Sequence, residues 1–117
     1  MEIRARSEGE TAVLFLSGKL DLNSATEVKN KVKELLGKKC RNLIFNLEKV
    51  EFINSSGLGA LVSILKDVRL YKGKMFLTNL SLYVKEIFEI TQLQEIFDIY
   101  DTEQQVWEEL TVKIKVK

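Results

Sequence analysis

Apolar and polar residues alternate at the start of the chain, which is the period of a half-buried β-strand. Residues 3–7 and 11–17 are predicted to form two strands, joined at Gly9 in a hairpin of ordinary length. The spacing then becomes that of an amphipathic helix, with Ser24 as the predicted N-cap and Glu27 completing a capping box. Gly37 is placed to end this helix. Its apolar stripe consists of Ala25, Val28, Val32, Leu35 and Leu36.

The middle of the chain again predicts a strand followed by a helix. Residues 43–47 are apolar except for Asn46, which favours a buried strand. Phe52 and Ile53 are expected to bring the chain back to the core after a short polar stretch. The next helix has the clearest pattern in the sequence and runs from Ser56 toward Gly73. Its stripe consists of Leu58, Leu61, Val62, Leu65 and Val68.

The last third of the chain predicts two more strand–helix pairs. Residues 74–78 and 96–100 are the strands, and Ser81 and Thr102 are the caps of the helices that follow. Gln105 lies three residues after Thr102 and completes a second capping box. Residues 112–117 alternate strictly, which fits either a short edge strand protected by lysines or a mobile end. The apolar residues of the two helices are Tyr83, Val84, Ile87 and Phe88, then Val106, Trp107 and Leu110.

This order of elements predicts an α/β fold. Strands that alternate with helices need crossover connections, so the sheet should be mostly parallel, with the first hairpin as an antiparallel edge and about four helices around it. We expect one domain over residues 1–117, with its core in residues 2–110. Binding sites in such sheets gather at the carboxyl ends of the strands. The loops at Asp21 and at Asn54 should therefore be neighbours.

Composition narrows the possible functions. The 117 residues carry 18 basic and 17 acidic side chains, for a net charge of +1, so we expect neither a nucleic-acid nor a membrane partner. There is no histidine, which excludes Ser-His and Cys-His catalytic pairs and His-ligated metals, and Cys40 is the only cysteine. The sequence predicts no cofactor and no enzymatic activity. The start of the chain has no signal-peptide pattern, so a cytoplasmic location is expected. A single free domain with mixed surface charge fits a monomer.

The segment from Asn54 to Gly59 carries the strongest functional signal. Ser55 or Ser56 is predicted to cap the helix, where the positive end of the helix dipole would also tolerate a phosphate. Capping alone is the simpler interpretation. Gly57 and Gly59 argue against it, because glycine is unfavourable in a helix and two of them suggest that another group approaches the backbone closely.

Enzymatic interpretations of this segment fail on spacing. The serine-hydrolase elbow needs glycine two residues before the nucleophilic serine, and Ile53 stands there. The dinucleotide-binding fingerprint needs a third glycine, and Val62 stands there.

The same residues closely resemble the STAS domain, and within it the bacterial anti-sigma factor antagonists. Gly18-Lys19-Leu20-Asp21 is similar to the family's Gly-x-Leu-Asp segment after the second strand. Residues 52–59, Phe-Ile-Asn-Ser-Ser-Gly-Leu-Gly, resemble the family's phosphorylation motif, Phe-x-Asp-Ser-Ser-Gly-Leu-Gly. A third segment begins at residue 72 and ends near Thr91. The resemblance therefore covers nearly the whole chain in the right order.

The resemblance implies a protein-binding switch. The unphosphorylated protein would bind an anti-sigma factor, often itself a serine kinase, and so free a sigma factor for transcription. The kinase would phosphorylate Ser55, with Ser56 as a supporting group or the alternative acceptor, and a serine phosphatase would reverse the modification. Asn54 stands where the family commonly has aspartate, so a negative charge is missing beside the serines. The implied partner-binding residues are Asp21, Leu22, Asn23, Asn54, Ser55, Ser56 and Gly57.

Two other functions remain open at this point. The chain could be a STAS scaffold subunit in a stress-signalling or lipid-transport complex. It could also be a nucleotide-binding module that uses the crevice between Asp21 and Asn54.

Overall fold

A computed structural model describes the backbone of residues 1–116 and the side chains of residues 1–112. Five strands form one sheet, four α-helices pack on it, and a short 3₁₀ turn spans Leu93–Glu95. The strands are β1 Glu2–Glu8, β2 Thr11–Leu20, β3 Asn42–Ile53, β4 Lys74–Thr78 and β5 Asp98–Tyr100. The helices are α1 Leu22–Gly37, α2 Ser55–Leu70, α3 Leu82–Ile90 and α4 Glu103–Val116.

The sheet has the predicted topology. Its strands lie in the order β1-β2-β3-β4-β5, with β1 antiparallel to β2 and every other pair parallel. The α/β class, the antiparallel first hairpin and the four helices are therefore confirmed. Among the described residues, none of the helices is both long and apolar enough to cross a bilayer.

The core has two layers because both faces of the central strands are covered. Leu14, Phe45 and Leu77 lie on the face that packs against α1, α2 and α3. Ile44 and Phe76 lie on the other face, under α4. This explains the continuous apolar run in β3, since a parallel strand with both faces covered shows no alternation.

Strands β2 and β3 extend further than their sequence pattern predicts. Their pairing continues to Leu20 opposite Ile53, well beyond the last residue of β4. Two register shifts, one after Phe15 and one after Gly18, add extra residues to β3 and disturb its alternation. Phe52 is 37% exposed, so the prediction that it returns to the core was wrong, whereas Ile53 is buried as predicted. A bulge of this kind changes which face a side chain occupies.

The prediction of an edge strand at the carboxyl end was also wrong. The backbone of α4 stays helical to Val116, so residues 112–116 continue the last helix. The Thr102–Gln105 capping box that starts this helix is confirmed, because the Gln105 N–H donates to the Thr102 hydroxyl over 3.3 Å and the Gln105 side chain accepts from Thr102 N–H over 3.2 Å. Lys117, the last residue of the predicted strand or mobile end, lies outside the described residues.

Candidate functional site

Two helices begin side by side at the carboxyl end of the sheet. Leu20, the last residue of β2, pairs with Ile53, the last residue of β3. The residue that follows each of them, Asp21 or Asn54, is the N-cap of the next helix. The Asn54 N–H donates to the Leu20 carbonyl over 3.3 Å, which ties the two loops together. The predicted proximity of the Asp21 and Asn54 loops is confirmed.

The first of these helices, α1, is capped by Asp21. The Ser24 N–H donates to the Asp21 carboxylate over 3.1 Å, and the Asp21 N–H donates back to the Ser24 hydroxyl over 3.0 Å. The prediction of Ser24 as N-cap was wrong, because its hydroxyl completes the capping box from the third helical position and also donates to the Lys19 carbonyl over 2.8 Å. The pKa of the Asp21 carboxyl is lowered, chiefly because the Ser24 backbone N–H donates to it. Asp21 is therefore a fixed negative charge beside the start of α2.

The second helix, α2, is capped by Asn54 and not by a serine. The Asn54 side-chain oxygen accepts from the Gly57 N–H over 2.9 Å, and its carbonyl accepts from the Leu58 N–H over 2.9 Å. The prediction that Ser55 or Ser56 caps the helix was therefore wrong. β3 ends one residue earlier than that prediction required, and an asparagine at that point is as good an acceptor as serine. Both serines are exposed in the first turn, and neither hydroxyl hydrogen-bonds to another described residue.

The glycines of this turn have a structural explanation within the chain itself. A Cβ on Gly57 would lie 2.2 Å from the Leu20 carbonyl oxygen, whereas a Cβ on Gly59 would meet open space. The expectation that another group approaches the backbone closely is confirmed at Gly57, where that group is the Leu20 carbonyl, and was wrong at Gly59. Gly57 is buried and lets the start of α2 pack on the end of β2, so the serines before it are held against a rigid support.

The predicted partner-binding residues form one surface, except for Gly57. Leu22 is 70% exposed and stands with exposed Asn23 in the first turn of α1. Asp21 and Asn54 are half-buried through their capping bonds. We call Asp21, Leu22, Asn23, Asn54, Ser55 and Ser56 the switch surface.

Three exposed apolar residues lie near this end of the sheet, of which the sequence analysis assigned Phe52 and Tyr83 to the apolar side of their elements and did not single out Leu82. Phe52 precedes the serines on β3, and Leu82 and Tyr83 open α3, which also starts at the carboxyl end of a strand. Leu82 is 74% exposed, much like Leu22 at the equivalent position of α1. Leu22 and Leu82 each directly follow a helix cap and lie outside the apolar stripe of their helix. This shared position is the feature of the sequence that could have identified Leu82.

One cavity of the sheet lies apart from the switch surface. A cavity of about 540 Å³ opens elsewhere on the sheet, and its lining includes Arg4, Phe15 and Asn46 but no residue of the switch surface. Within the described residues, no group of three or more His, Cys, Asp or Glu side chains could hold a metal ion. The arrangement suits contact with a protein, because it combines an exposed leucine, hydroxyls, an amide and one carboxylate on a rigid base.

Comparison with known proteins decides the family. The family model for the STAS domain matches residues 2–106. The chain belongs to the STAS domain family. The anti-sigma-B factor antagonist of Listeria monocytogenes is 30% identical over 103 residues, which cover 88% of this STAS chain and 90% of that protein.

Solved STAS structures share the fold. The crystal structure of TM1081 from Thermotoga maritima aligns with a TM-score of 0.84 at 28% identity, covering 92% of each chain. The anti-sigma factor antagonist SpoIIAA aligns in its unphosphorylated form with a TM-score of 0.72 at 21% identity, covering 94% of this chain and 98% of that one. Its phosphorylated form, from Bacillus, aligns with a TM-score of 0.71 at 22% identity, with 93% and 99% covered. At these identities SpoIIAA is evidence for the fold alone.

Proposed function

We propose that this STAS domain is an anti-sigma factor antagonist whose switch surface docks on an anti-sigma factor and so frees a sigma factor for transcription. The Listeria relative bears that name and aligns over most of both chains. The proposal treats the chain as a binding protein without catalytic activity, acting as a cytoplasmic monomer without a cofactor.

The observation that carries the proposal is the position of Ser55. It is the first residue of α2, it is exposed, and its hydroxyl is not used for capping. The first turn of α2 itself contains no acidic residue, so no side chain of this turn places a negative charge at the positive end of the helix dipole. A phosphate on Ser55 would supply one, and the helix could accept the modification without unfolding.

Phosphorylation would change docking through charge. A phosphoserine adds about −1.5 to −2 charges at neutral pH, next to the ionised Asp21. A negative charge of the partner held about 4 Å from the phosphate would be repelled by roughly 4 kcal/mol per unit charge at an effective dielectric of 20, and salt reduces that value. A repulsion half as large, about 2 kcal/mol, already weakens binding more than tenfold, because every ~1.4 kcal/mol is a factor of ten in the dissociation constant. We therefore infer that phosphate excludes the partner by electrostatic repulsion and bulk, with no refolding of this chain.

The proposal assigns two enzymes as partners. The anti-sigma factor would itself be the serine kinase that modifies Ser55, and a serine phosphatase would restore the docking form. Ser56 stays the alternative acceptor, because it is exposed as well. Asn54 makes the unmodified surface less negative than an aspartate would, so the phosphate accounts for a larger share of the charge difference between the two states.

The test is to measure binding of four variants to the anti-sigma factor of the same organism by titration calorimetry. We expect Ser55→Ala to bind like the unmodified protein and Ser55→Asp to bind at least about tenfold more weakly. Ser56→Ala and Ser56→Asp are the matched controls, since Ser56 is the exposed neighbour on the same turn. Equal affinities for Ser55→Ala and Ser55→Asp would contradict the switch.

A second experiment tests the acceptor. The chain is incubated with the anti-sigma factor and ATP and then analysed by mass spectrometry. We expect one phosphate on Ser55 and none on the Ser55→Ala variant. Strong binding with no modification would instead support the scaffold alternative.

A further inference from the structure

Two turns lie together at the end of the sheet opposite the switch surface. Residues 38–41 connect α1 to β3, and residues 69–74 run from the end of α2 into β4. The Lys74 N–H donates to the Arg41 carbonyl over 2.6 Å, and a Cβ on Gly73 would lie 2.7 Å from the same oxygen. The Arg41 guanidinium also lies 5.9 Å from the centre of the Tyr71 ring. The two turns therefore form one continuous surface.

This surface concentrates positive charge. Its ten residues include no acidic side chain and six basic ones, and we call these six the basic end: Lys38, Lys39, Arg41, Arg69, Lys72 and Lys74. The whole chain has 18 basic residues, so 12 remain elsewhere against all 17 acidic ones, and the rest of the molecule is net negative. From the net charge of +1 we expected no membrane partner. The fold nevertheless brings six of the basic residues together at one end of the molecule.

The contacts of the basic end leave part of its charge exposed. Lys38 bonds to Glu34 over 3.3 Å, and Arg41 is half-buried because its guanidinium donates to the carbonyls of Leu36 and Cys40. Five of the six basic residues are exposed, namely Lys38, Lys39, Arg69, Lys72 and Lys74. Besides Glu34, the acidic residues close to these turns along the fold are half-buried Asp67 on α2 and exposed Glu8 and Glu10 at the β1–β2 hairpin.

Two apolar side chains project from among these cations. Leu70 is 80% exposed and Tyr71 is 52% exposed. Cations at the carboxyl ends of α1 and α2 would be explained by the helix dipoles alone, but the dipoles give no reason for an exposed leucine. Basic residues around a projecting leucine and tyrosine are the combination that binds the interface of an anionic bilayer.

We propose that the basic end docks on an anionic lipid bilayer, with Leu70 and Tyr71 entering the headgroup layer and the lysines and arginines contacting anionic headgroups. The eleven steps between the twelve residues of β3 separate this end from the switch surface by at most roughly 36 Å, given about 3.3 Å per step. A protein docked in this way would present Ser55 away from the lipid, so both surfaces could be occupied together. The proposal does not depend on the one made for Ser55.

The test is flotation of the full chain with phosphatidylglycerol–phosphatidylcholine vesicles, compared with vesicles of phosphatidylcholine alone. We expect binding only to the anionic vesicles, and weaker binding as salt is raised. The double variant Lys39→Glu/Lys72→Glu should bind at least about tenfold more weakly, since each basic residue near such a surface contributes to binding. The matched control is Lys33→Glu/Lys85→Glu, which makes the same charge change at exposed lysines on α1 and α3. Circular dichroism verifies that each variant is folded.

Three results would overturn the proposal. The first is the absence of binding to anionic vesicles at low salt. The second is an equal loss in the control variant, which would mean that only net charge matters. The third is an unchanged affinity for Leu70→Ser, which would remove the apolar contact and leave a purely electrostatic surface. Binding to duplex DNA or poly-glutamate that depends on Lys39 and Lys72, without vesicle binding, would show that the partner is a macromolecule.

Discussion

At the scale of single residues, Gly57 belongs to a motif that suggests a function, but its own role is in packing. Its missing Cβ leaves room for the Leu20 carbonyl, and this contact holds the start of α2 against the end of β2. Gly59 has no such neighbour. The motif therefore contains one glycine required by packing, and Ser55 lies two residues before it in the first turn of α2.

Replacing these two glycines by alanine should have opposite effects on stability. Gly57→Ala should lower the free energy of unfolding by about 1–3 kcal/mol, because a Cβ 2.2 Å from a backbone oxygen forces the helix to shift. Gly59→Ala should raise it by up to about 1 kcal/mol, because alanine is the better helix former and meets open space. Urea denaturation of both variants measures the difference. Equal effects would contradict the packing role of Gly57.

Asp21 makes the stability of the protein depend on pH. Its pKa is lowered in the folded protein, so the stabilising contribution is present above its ordinary value and is lost as pH falls through the lower folded value. Asp21→Asn keeps a capping oxygen but cannot ionise. We expect the variant to lose less stability than the wild type on acidification, as measured by urea denaturation over a pH series. Identical pH profiles would mean that the Asp21 charge has no stabilising role.

At the scale of elements, the two helices next to Ser55 begin where paired strands end. The caps, Asp21 and Asn54, directly follow Leu20 and Ile53, which pair in the sheet. Sequence patterns placed these helices correctly but chose serines as caps for both. The local pattern contains several good capping residues in a row, and the length of the β2–β3 pairing decides which one is used.

The cap of α2 can be tested by two substitutions at one position. Asn54→Ala removes the acceptor of the Gly57 N–H and should lower the free energy of unfolding by about 1 kcal/mol. Asn54→Asp keeps the acceptor and adds a negative charge at the positive end of the helix, so stability should be unchanged or slightly higher. Thermal and urea unfolding provide the comparison. A serine cap would instead leave Asn54→Ala unaffected.

At the scale of the whole molecule, two surfaces of different chemistry lie at opposite ends of the sheet. The carboxyl end carries the switch surface, and the other end carries the basic cluster around Leu70. Both faces of the central strands are packed against helices. We therefore expect a modification of Ser55 to leave the conformation of the sheet unchanged. The proposed switch therefore changes surface charge and leaves the fold as it is.

Nuclear magnetic resonance of the Ser55→Asp variant tests this rigidity. Amide shifts should change at the starts of α1 and α2 and stay unchanged in β4 and α4, because charge acts locally and the packing is intact. The Ser56→Asp variant is the matched control for the effect of an added carboxylate on this turn. Changes that extend through β4 and α4 in Ser55→Asp alone would show a conformational switch in place of a local one.

The sequence by itself determined the order of the elements, the α/β class, the four helical stripes and the segment around Ser55. These depend on local periodicity and on residue types, which the chain carries wherever it folds. Only the tertiary structure decided the caps, the contact of Gly57 with Leu20, the exposure of Phe52 and the separation of charge between the two ends. Each of these depends on which backbone segments lie together after the strands pair, and that pairing joins residues too distant in sequence for a local pattern to specify.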